Sequence, residues 1–374
     1  MGSLTITAKF KILPTDGQIH PLLATTKAIQ QACNYASDVI FDQQCLVQST
    51  LHKVTYRPLR ELFCLRSQMA QSVLKTVIAK YKSAKSNGHP RTRIRFKKTE
   101  YDLVRNRDYS LTKDGLFSLN TLQGRVKVPF QIEHMEHFFD GAWKFGTAKL
   151  VYKKGKFYLH IPMTNEIADV DLTTIKNVIG VDFGINFTAV SFDSKDNTTF
   201  FHGRHIKNKR ANYKQCRRSL QKRQTASSRR RLKKIGQREN RWMTNVNHCV
   251  SKALVEQAGT NSLFVLEALT GIRTATEKVL KRNRYETVSW TFYQLRHMIE
   301  YKAKMNESDV LVVDPKYTSQ QCPKCGHIEK SNRNKKTHTF QCKTCSYTTN
   351  DDRIGAMNLR AKGIQYLNEV ATQA

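Results

Sequence analysis

The sequence has few acidic residues and no long hydrophobic run. None of its apolar stretches reaches the ~20 residues that a membrane-spanning helix requires, which argues against a helical membrane protein. The N-terminal residues 1–14 also lack the apolar core of a secretory signal peptide. Only 30 Asp and Glu residues stand against 63 Lys and Arg residues, so the formal net charge is +33.

This excess of positive charge indicates a polyanionic partner, because a strongly charged surface repels itself until counter-charges neutralise it. Nucleic acid is the expected partner, since contacts to backbone phosphates give strong, salt-dependent binding. An anionic membrane surface is the alternative. With 374 residues, of which 39% are hydrophobic, the chain is long enough for two or three domains with real cores.

The nine cysteines fall into two groups. Four of them form two C-x2-C pairs, Cys322/Cys325 and Cys342/Cys345, separated by sixteen residues. Thiolates at this spacing predict a closed, tetrahedral structural zinc site of the zinc-ribbon kind, with no ligand position left open for catalysis. The other five occur singly in apolar patterns and predict reduced thiols in an intracellular protein: Cys33, Cys45, Cys64, Cys216 and Cys249.

The first 170 residues switch twice between the strand period and the helix period. Residues 4–13 alternate as a strand, residues 15–90 carry apolar side chains at helical spacing, and the alternation returns at Arg91. We predict a β-barrel or sandwich made of residues 1–14 and 91–170, with residues 15–90 as a helical insertion. The polar and acidic residues 165–174 predict a domain boundary.

Residues 91–97 predict a strand with one cationic face. Arg91, Arg93 and Arg95 alternate with apolar or uncharged residues, which places the three guanidinium groups on the same side. Two interpretations are open, a half-buried surface strand and a strip that faces nucleic-acid phosphates. The net charge of the chain favours the second.

The second half predicts a mixed sheet with helices on both faces, formed by residues 175–316 and 348–374. The predicted order is three strands, a helix, a strand, a helix, a buried strand at 310–313 and a final helix, which is a ribonuclease-H-like layout. Residues 317–347, which contain the paired cysteines, are inserted before the last helix. The whole chain is therefore predicted to be an α+β multidomain protein.

Three carboxylates can converge at one edge of this sheet. Asp182 ends the first strand, Glu267 lies in an apolar strand, and Asp352 opens the last helix. Such a trio can hold two Mg²⁺ ions about 3.5–4 Å apart, one to activate water and one to stabilise the leaving 3′-oxygen. A purely structural role suits Glu267 poorly, because its apolar neighbours would bury it without a partner. Asp351 competes with Asp352, and spacing alone does not separate them.

Residues 204–258 predict a basic helical segment. A run of charge often forms only a solvated helix face. Beside a carboxylate site, however, contact with a nucleic-acid backbone is the favoured interpretation. The candidate contacts are Arg217, Arg218, Arg229, Arg230 and Arg231.

Together these motifs resemble the TnpB family, the transposon-encoded RNA-guided DNA endonucleases related to type V CRISPR effectors. The resemblance in motifs runs from about Val178 to the end, and the first 175 residues share only the layout of strand, helical insertion and barrel. The family pattern of the last motif places the catalytic acid at Asp352 rather than Asp351. The matching pieces are GVDFG (180–184), VLEAL (265–269), YTSQQCPKCG (317–326) and DDRIGAMNL (351–359).

The resemblance implies a mechanism. A wedge-like barrel and a helical recognition insertion would hold a guide RNA derived from the transposon end, and would open double-stranded target DNA beside a short adjacent motif. A RuvC-like domain with an inserted zinc ribbon would then cut the DNA with Asp182, Glu267 and Asp352, using two Mg²⁺ ions and one structural Zn²⁺. In the helical insertion Gln71 is an expected nucleic-acid contact, and an exposed helix glutamine is the alternative.

The same resemblance implies a monomeric ribonucleoprotein in the prokaryotic cytoplasm, associated with the nucleoid and not with a membrane. Two other functions were weighed. A non-cleaving RNA-guided regulator would be signalled by the loss of a catalytic acid, and all three acids are present. A transposase that cuts and joins strands by itself would use similar acids without RNA.

Overall fold

The computed structural model describes residues 2–98, 100–269 and 292–373. It is an α+β protein whose chain divides into two compact units, Met1–Ile167 and Ala168–Ala374. Of the helices in the described residues, none is long and apolar enough to cross a bilayer. The finer predicted division into barrel, insertion, nuclease domain and ribbon stays a prediction.

The first unit contains three helices, as the periodicity of residues 15–90 predicts. Helix α1 begins at a capping box in which the side chain of Gln18 accepts the backbone N–H of Thr15. Each helix buries one apolar stripe against its neighbours. The helices are α1 (Asp16–Gln43), α2 (Gln48–Phe63) and α3 (Ser67–Ser86).

The strands of the first unit form two antiparallel sheets. Phe10, fully buried on the first strand, contacts Phe117 of the second sheet with ring centroids 5.6 Å apart, so an aromatic core joins the two sheets. The predicted hairpin with its turn at 153–155 is confirmed. One sheet has the order β1 (Gly2–Ile12), β8 (Lys156–Ile167), β7 (Ala148–Lys153) and β2 (Glu100–Leu103), with β6 (Lys144–Phe145) also on β8; the other has β3 (Tyr109–Leu111), β4 (Phe117–Thr121) and β5 (Gly124–Val128).

The predicted strand at residues 91–97 is wrong. Within the described residues this segment is extended but joins no sheet. Its backbone groups are bound by side chains of α1 instead: Asn34 pairs with both the N–H and the carbonyl of Phe96, and Ser37 donates to the carbonyl of Ile94. Burial still alternates with a period of two, since Ile94 and Phe96 are half-buried and the three arginines are exposed.

The second unit is built on a five-stranded mixed sheet. Strand β9 is antiparallel to β10 and parallel to β12. The sheet therefore combines an antiparallel meander with parallel strands that are joined by crossover connections. The order across the sheet is β11 (Thr198–His202), β10 (Phe187–Phe192), β9 (Asn177–Asp182), β12 (Ser262–Glu267) and β13 (Asp309–Val313).

Helices cover both faces of this sheet. Ile179 and Phe264 face one side and pack on α6 and α7, whereas Val178 and Val265 face the other side and pack on α8 with Leu359. The pattern follows from the period of two along each strand. The α-helices in the described part of this unit are α4 (Arg204–Arg223), α5 (Ala226–Ile235), α6 (Arg238–Ala258), α7 (Phe292–Met305) and α8 (Asp351–Gln373).

Helix α8 lies unusually close to strand β9. A Cβ at Gly180 would fall 2.0 Å from the backbone oxygen of Ala356, and a Cβ at Gly363 would fall 2.4 Å from a methyl group of Val265. Glycine at both positions therefore removes the side chains that would hold the helix away from the sheet.

The predicted buried strand at 310–313 is half-buried in the structure, because β13 is the edge strand of its sheet. The predicted start of its preceding helix at 289–291 lies outside the described residues. One cysteine pair precedes a small antiparallel sheet and the other lies between its second and third strands, the strands being β14 (Arg333–Asn334), β15 (Thr339–Gln341) and β16 (Thr348–Asn350).

Candidate functional site

Asp182 and Glu267 end two neighbouring parallel strands. Leu266 of β12 lies opposite Val181 of β9, so the next residue on each strand carries its carboxylate to the same edge of the sheet. Both strands run in apolar sequence up to this point, which fixes their register and the position of the two acids.

The first turns of α8 bring Asp352 to the same edge. A Cβ at Gly355 would lie 3.0 Å from Oδ2 of Asp182, so the helix backbone passes directly over that carboxylate. The pKa of Asp182 is raised well above its ordinary value, first by removal from water and then by the negative charges of Glu267 and Asp352. The pKa of Asp352 is raised by burial and by the charge of Asp351. The edge therefore gathers more negative charge than its neighbouring cations balance.

Glu267 is oriented by a chain of two hydrogen bonds. Oγ1 of Thr318 donates to Oε1 of Glu267 over 2.6 Å, and Nδ2 of Asn358 donates to the carbonyl of Thr318 over 2.7 Å. Burial raises the pKa of Glu267, while the hydrogen bond from Thr318 opposes the rise. The sequence patterns assign no role in the site to Thr318 or Asn358, although both lie inside the quoted motifs at 317–326 and 351–359 and Asn358 helps to align the last one.

The structure distinguishes Asp351 from Asp352. The side chain of Asp351 is 0% exposed and its Oδ2 accepts from Nε of Arg333 over 2.8 Å. The side chain of Asp352 is 12% exposed and lies 3.3 Å from Nη2 of Arg333. Asp352 also raises the pKa of Asp182 more than Asp351 does. This geometry favours Asp352 as the third member of the trio.

The donor set at this edge suits a hard divalent cation. Three carboxylates with raised pKa values lack enough opposing charge, and carboxylate oxygens are the protein ligands that Mg²⁺ prefers. A cation here would supply the missing positive charge. The trio therefore fits the predicted Mg²⁺ ligands.

The four paired cysteines converge around one point. Their sulfur atoms all lie within 4.8 Å of one another, with 3.6 Å between Cys322 and Cys345 and 3.5 Å between Cys325 and Cys342. Tetrahedral Zn–S bonds of ~2.3 Å place sulfur atoms about 3.8 Å apart. The N–H of Cys345, 3.5 Å from the sulfur of Cys342, helps to lower the pKa of that thiol to about 6. A zinc ion fits this cluster.

The three arginines of residues 91–95 are bound to helix α1. Arg93 lies 2.7 Å from Asp42, Arg95 lies 3.0 Å from Asp38, and Arg91 donates to the carbonyl of Ile40 over 3.1 Å. Their side chains are exposed, and exposed ion pairs contribute only about 0–1 kcal/mol, so a phosphate could replace the aspartates. Their contact with nucleic acid stays a prediction.

The remaining predicted contacts differ in accessibility. Arg217 lies 2.5 Å from Glu239, which also pairs with the buried Arg210 at 3.2 Å. Arg217 therefore helps to hold α4 against α6. Gln71 is half-buried on α3. The exposed members of the set are Arg218, Arg229, Arg230 and Arg231.

Two family models and several named relatives match parts of this chain. The family model OrfB_IS605, described as "Probable transposase", matches residues 160–270, and the model of the Cas12f1-like TNB domain matches residues 292–359. TnpB-like protein MJ0751 of Methanocaldococcus jannaschii is 27% identical over 241 residues, which cover 62% of this chain and 83% of that protein. The predicted resemblance to the TnpB family is confirmed.

Relatives named CRISPR-associated endodeoxyribonuclease Cas12f1 match a similar portion of the chain. The protein from Sulfoacidibacillus thermotolerans is 27% identical over 247 residues, which cover 62% of this chain and 56% of the relative. The protein from Syntrophomonas palmitatica is 29% identical over 242 residues, which cover 60% of this chain and 47% of the relative. The chain thus spans about half the length of these Cas12f1 relatives.

Solved structures share the fold at low sequence identity. A Cas12f1–sgRNA–target DNA complex matches with a TM-score of 0.60 at 14% identity, over 91% of this chain and 82% of the other. The mini-RNA-guided endonuclease CRISPR-Cas_phi3 matches with a TM-score of 0.57 at 10% identity, over 96% and 92%. Nearly the whole chain therefore shares its fold with these two structures.

Proposed function

We propose that this chain, as a relative of the TnpB and Cas12f proteins, is an RNA-guided DNA endonuclease that hydrolyses phosphodiester bonds at Asp182, Glu267 and Asp352. The observation that carries the proposal is the convergence of these three acids at one sheet edge, where burial and then the charges of Glu267 and Asp352 raise the pKa of Asp182. Relatives named as endodeoxyribonucleases support the reaction class.

The three carboxylates would hold two Mg²⁺ ions, which when bound activate the attacking water and stabilise the leaving 3′-oxygen. The residues around them set the orientation of the ligands. Thr318 fixes one oxygen of Glu267 by a hydrogen bond of 2.6 Å, and Arg333 lies 3.3 Å from Asp352 and balances part of its charge. Burial keeps bulk water from screening the trio, so each carboxylate interacts strongly with a bound cation.

The layout of the second unit supports a RuvC-like, ribonuclease-H-like nuclease domain over residues 175–316 and 348–374. The order β11-β10-β9-β12-β13, with helices on both faces, is the expected mixed sheet. Residues 317–347 form the proposed zinc ribbon, held by one Zn²⁺. In the first unit, residues 1–14 and 91–170 form the proposed wedge-like barrel, and residues 15–90 the recognition insertion.

The partners of the proposed enzyme are a guide RNA from the transposon end and double-stranded target DNA beside a short adjacent motif. In guided recognition, base pairing reads the sequence while the protein holds the backbones in a positively charged channel. The net charge of +33 and the exposed arginines of α4 and α5 supply such a surface. We propose that the working particle is a monomeric ribonucleoprotein.

The test begins with purification of the protein from cells that carry its native flanking DNA, followed by sequencing of the bound nucleic acid. We expect a discrete RNA with a structured 5′ part and a variable 3′ end. Programmed with that RNA and Mg²⁺, the wild-type particle should cut matched duplex DNA. Asp182→Asn, Glu267→Gln and Asp352→Asn should each abolish cutting and preserve target binding.

Asp351→Asn is the matched control, since it removes a neighbouring carboxylate whose charge raises the pKa of Asp182 less than that of Asp352 does. It should retain measurable cutting. Cutting by Asp182→Asn at the wild-type rate would refute the assignment of the site. Recovery of only heterogeneous nucleic acid that salt removes would refute the guide.

The family model described as "Probable transposase" favours one other function to be tested in parallel. A transposase would cut and join transposon-end DNA without RNA. Strand joining by the RNA-free protein would support that function, and its absence alongside guided cutting would exclude it.

A further inference from the structure

The turn between β14 and β15 brings His338 to the start of helix α8. The carbonyl of His338 accepts the N–H of Asp351 over 3.3 Å and the side-chain amide of Asn350 over 3.3 Å. His338 itself has a φ of 55°, in the left-handed region. The two bonds to its carbonyl place residue 338 beside the first turn of α8.

Two buried polar atoms face each other at this point without a hydrogen bond. Nδ1 of His338 and Oδ1 of Asp351 are both buried, and within the described residues neither has a hydrogen-bond partner. They lie 3.5 Å apart, and a carboxylate oxygen of Asp352 lies within 4.8 Å of both. A fully buried carboxylate oxygen that is left unpaired is costly, which indicates a missing partner.

The separation of 3.5 Å is informative. It is longer than the ~2.7–3.2 Å of an ordinary N–H···O hydrogen bond. Two ligands of one ion with bonds of ~2.0–2.2 Å are about 2.8–3.1 Å apart at octahedral angles and about 3.3–3.6 Å apart at tetrahedral angles, so the observed separation matches the tetrahedral case. A protonated imidazole would instead form an ion pair with Asp351 at this distance. Metal ligation and the ion pair are distinguished by whether a metal ion binds.

The other nitrogen of the ring is anchored. Nε2 of His338 lies 2.9 Å from the side-chain amide of Asn186, whose oxygen and nitrogen positions are interchangeable. With the amide oxygen toward the ring, Nε2–H donates to Asn186 and Nδ1 presents its lone pair to Asp351. Histidines that bind metals are commonly held in this way through their second nitrogen.

Arg333 leaves the required oxygen free. Its Nε binds Oδ2 of Asp351 over 2.8 Å and its Nη2 lies 3.3 Å from Oδ1 of Asp352. Oδ1 of Asp351 is therefore the atom that faces His338. Two carboxylates and one guanidinium leave a net negative charge to attract a cation.

We propose that His338, Asp351 and Asp352 bind one divalent transition-metal ion, of the class of Mn²⁺, Fe²⁺ or Zn²⁺. A ligand set of one imidazole and two carboxylates suits these ions better than Mg²⁺, which prefers oxygen alone. The ion would connect the β14–β15 turn, the first turn of α8 and, through Asn186, the turn that follows Asp182. Sharing of Asp352 with the catalytic trio rests on the proposed function, whereas the site itself does not.

The test uses Mn²⁺ as the probe and the zinc-loaded full chain with Asp182→Asn and Glu267→Gln, which removes the other two carboxylates of the trio. Pulsed electron paramagnetic resonance detects the nitrogen-14 coupling of an imidazole that binds Mn²⁺ directly. We expect this coupling in the parent protein, and its loss in the additional variant His338→Asn. Asparagine is chosen because it tolerates the left-handed backbone of position 338.

Three comparisons separate ligation from misfolding. His327→Asn changes another histidine near the thiol cluster and should keep the coupling. Asn186→Ala keeps the imidazole but frees its second nitrogen, and should weaken Mn²⁺ binding about tenfold. An unchanged zinc content in His338→Asn shows that the thiol cluster is intact.

Mn²⁺ that binds without imidazole coupling, or coupling that persists in His338→Asn, would overturn the proposal. So would the absence of any bound Mn²⁺, which would leave the ion pair between His338 and Asp351 as the explanation. Cleavage is not measured in this experiment, so its outcome is independent of the test of the nuclease function.

Discussion

Gly355 lies directly against Asp182: a Cβ at position 355 would come within 3.0 Å of both Cγ and Oδ2 of that carboxylate. The backbone of α8 approaches the end of β9 because no side chain separates them. The distance between Asp182 and the acid on α8 is therefore set by a glycine and not by either acid.

Gly355→Ala should lower the rate of DNA cleavage by about a hundredfold with little loss of thermal stability. The added methyl group displaces Asp182 from its position, and a small displacement of a reacting group is sufficient for such a loss. Better helix propensity, worth up to about 1 kcal/mol, offsets part of the steric cost in stability. Single-turnover cleavage and a thermal melt of the same preparation measure both effects.

Gly363→Ala is the matched substitution on the same helix. Its Cβ would lie 2.4 Å from Cγ2 of Val265, in the apolar core and away from the acids. It should lower the free energy of unfolding by about 1–3 kcal/mol while folded protein keeps cutting. Equal losses of activity and stability in both variants would contradict the special role of Gly355.

Thr318→Val should reduce cleavage about tenfold at neutral pH. The change removes the hydroxyl that donates to Glu267 over 2.6 Å and leaves a partly buried carboxylate oxygen without that partner. Because the hydrogen bond lowers the pKa of Glu267, its loss should shift the pH of half-maximal cleavage upward. Thr318→Ser keeps the hydroxyl and should restore most of the rate and the original pH profile, and a profile unchanged in Thr318→Val would argue against this contact.

Stability without added divalent ions should fall as pH rises, through the carboxylate trio. The pKa values of Asp182, Glu267 and Asp352 are all raised in the folded state, so the folded protein binds protons there more tightly than the unfolded chain does. The contribution of such groups is complete below the ordinary carboxyl pKa and is lost as pH rises through the raised values.

Asp182→Asn isolates this effect. Its melting temperature should match that of the wild type below the ordinary carboxyl pKa of 3.8 and exceed it increasingly as pH rises above that value, because only the wild type must ionise Asp182. Mg²⁺ should close the difference by neutralising the trio. Parallel melting curves for the two proteins across this range would contradict the assigned charge cluster.

The exposed arginines of α5 should contribute to the salt dependence of nucleic-acid binding. Replacement of Arg229, Arg230 and Arg231 by alanine should reduce the slope of log affinity against log salt concentration by up to about 0.9 for each lost phosphate contact with duplex DNA. Arg93→Ala should change the slope less, because that guanidinium is already bound to Asp38 and Asp42. The opposite ranking would assign the backbone contact to residues 91–95.

The sequence predicted the acids and the cysteine cluster of the site, but not the residues that orient the acids. Asp182 and Glu267 end apolar strands, so their common sheet edge follows from local patterns, and the cysteine spacing likewise indicates one cluster. Thr318 and Arg333 reach the acids, and Asn358 reaches Thr318, through contacts distant in sequence, which periodicity does not encode. The alternation at residues 91–97 predicts a strand. That prediction is wrong because side chains of α1 bind the backbone of this segment in place of a neighbouring strand.

The order of synthesis gives the fold one more consequence. Strands β9 and β12 are made well before α8, which covers their apolar face at Val178 and Val265 and carries Asp352. A ribosome that stalls before residue 351 therefore produces a sheet with one face uncovered, a surface prone to aggregation and degradation. Under the proposed function, such an incomplete product also lacks the third acid, so a cell that makes it is not exposed to partial or unregulated cutting of its own DNA.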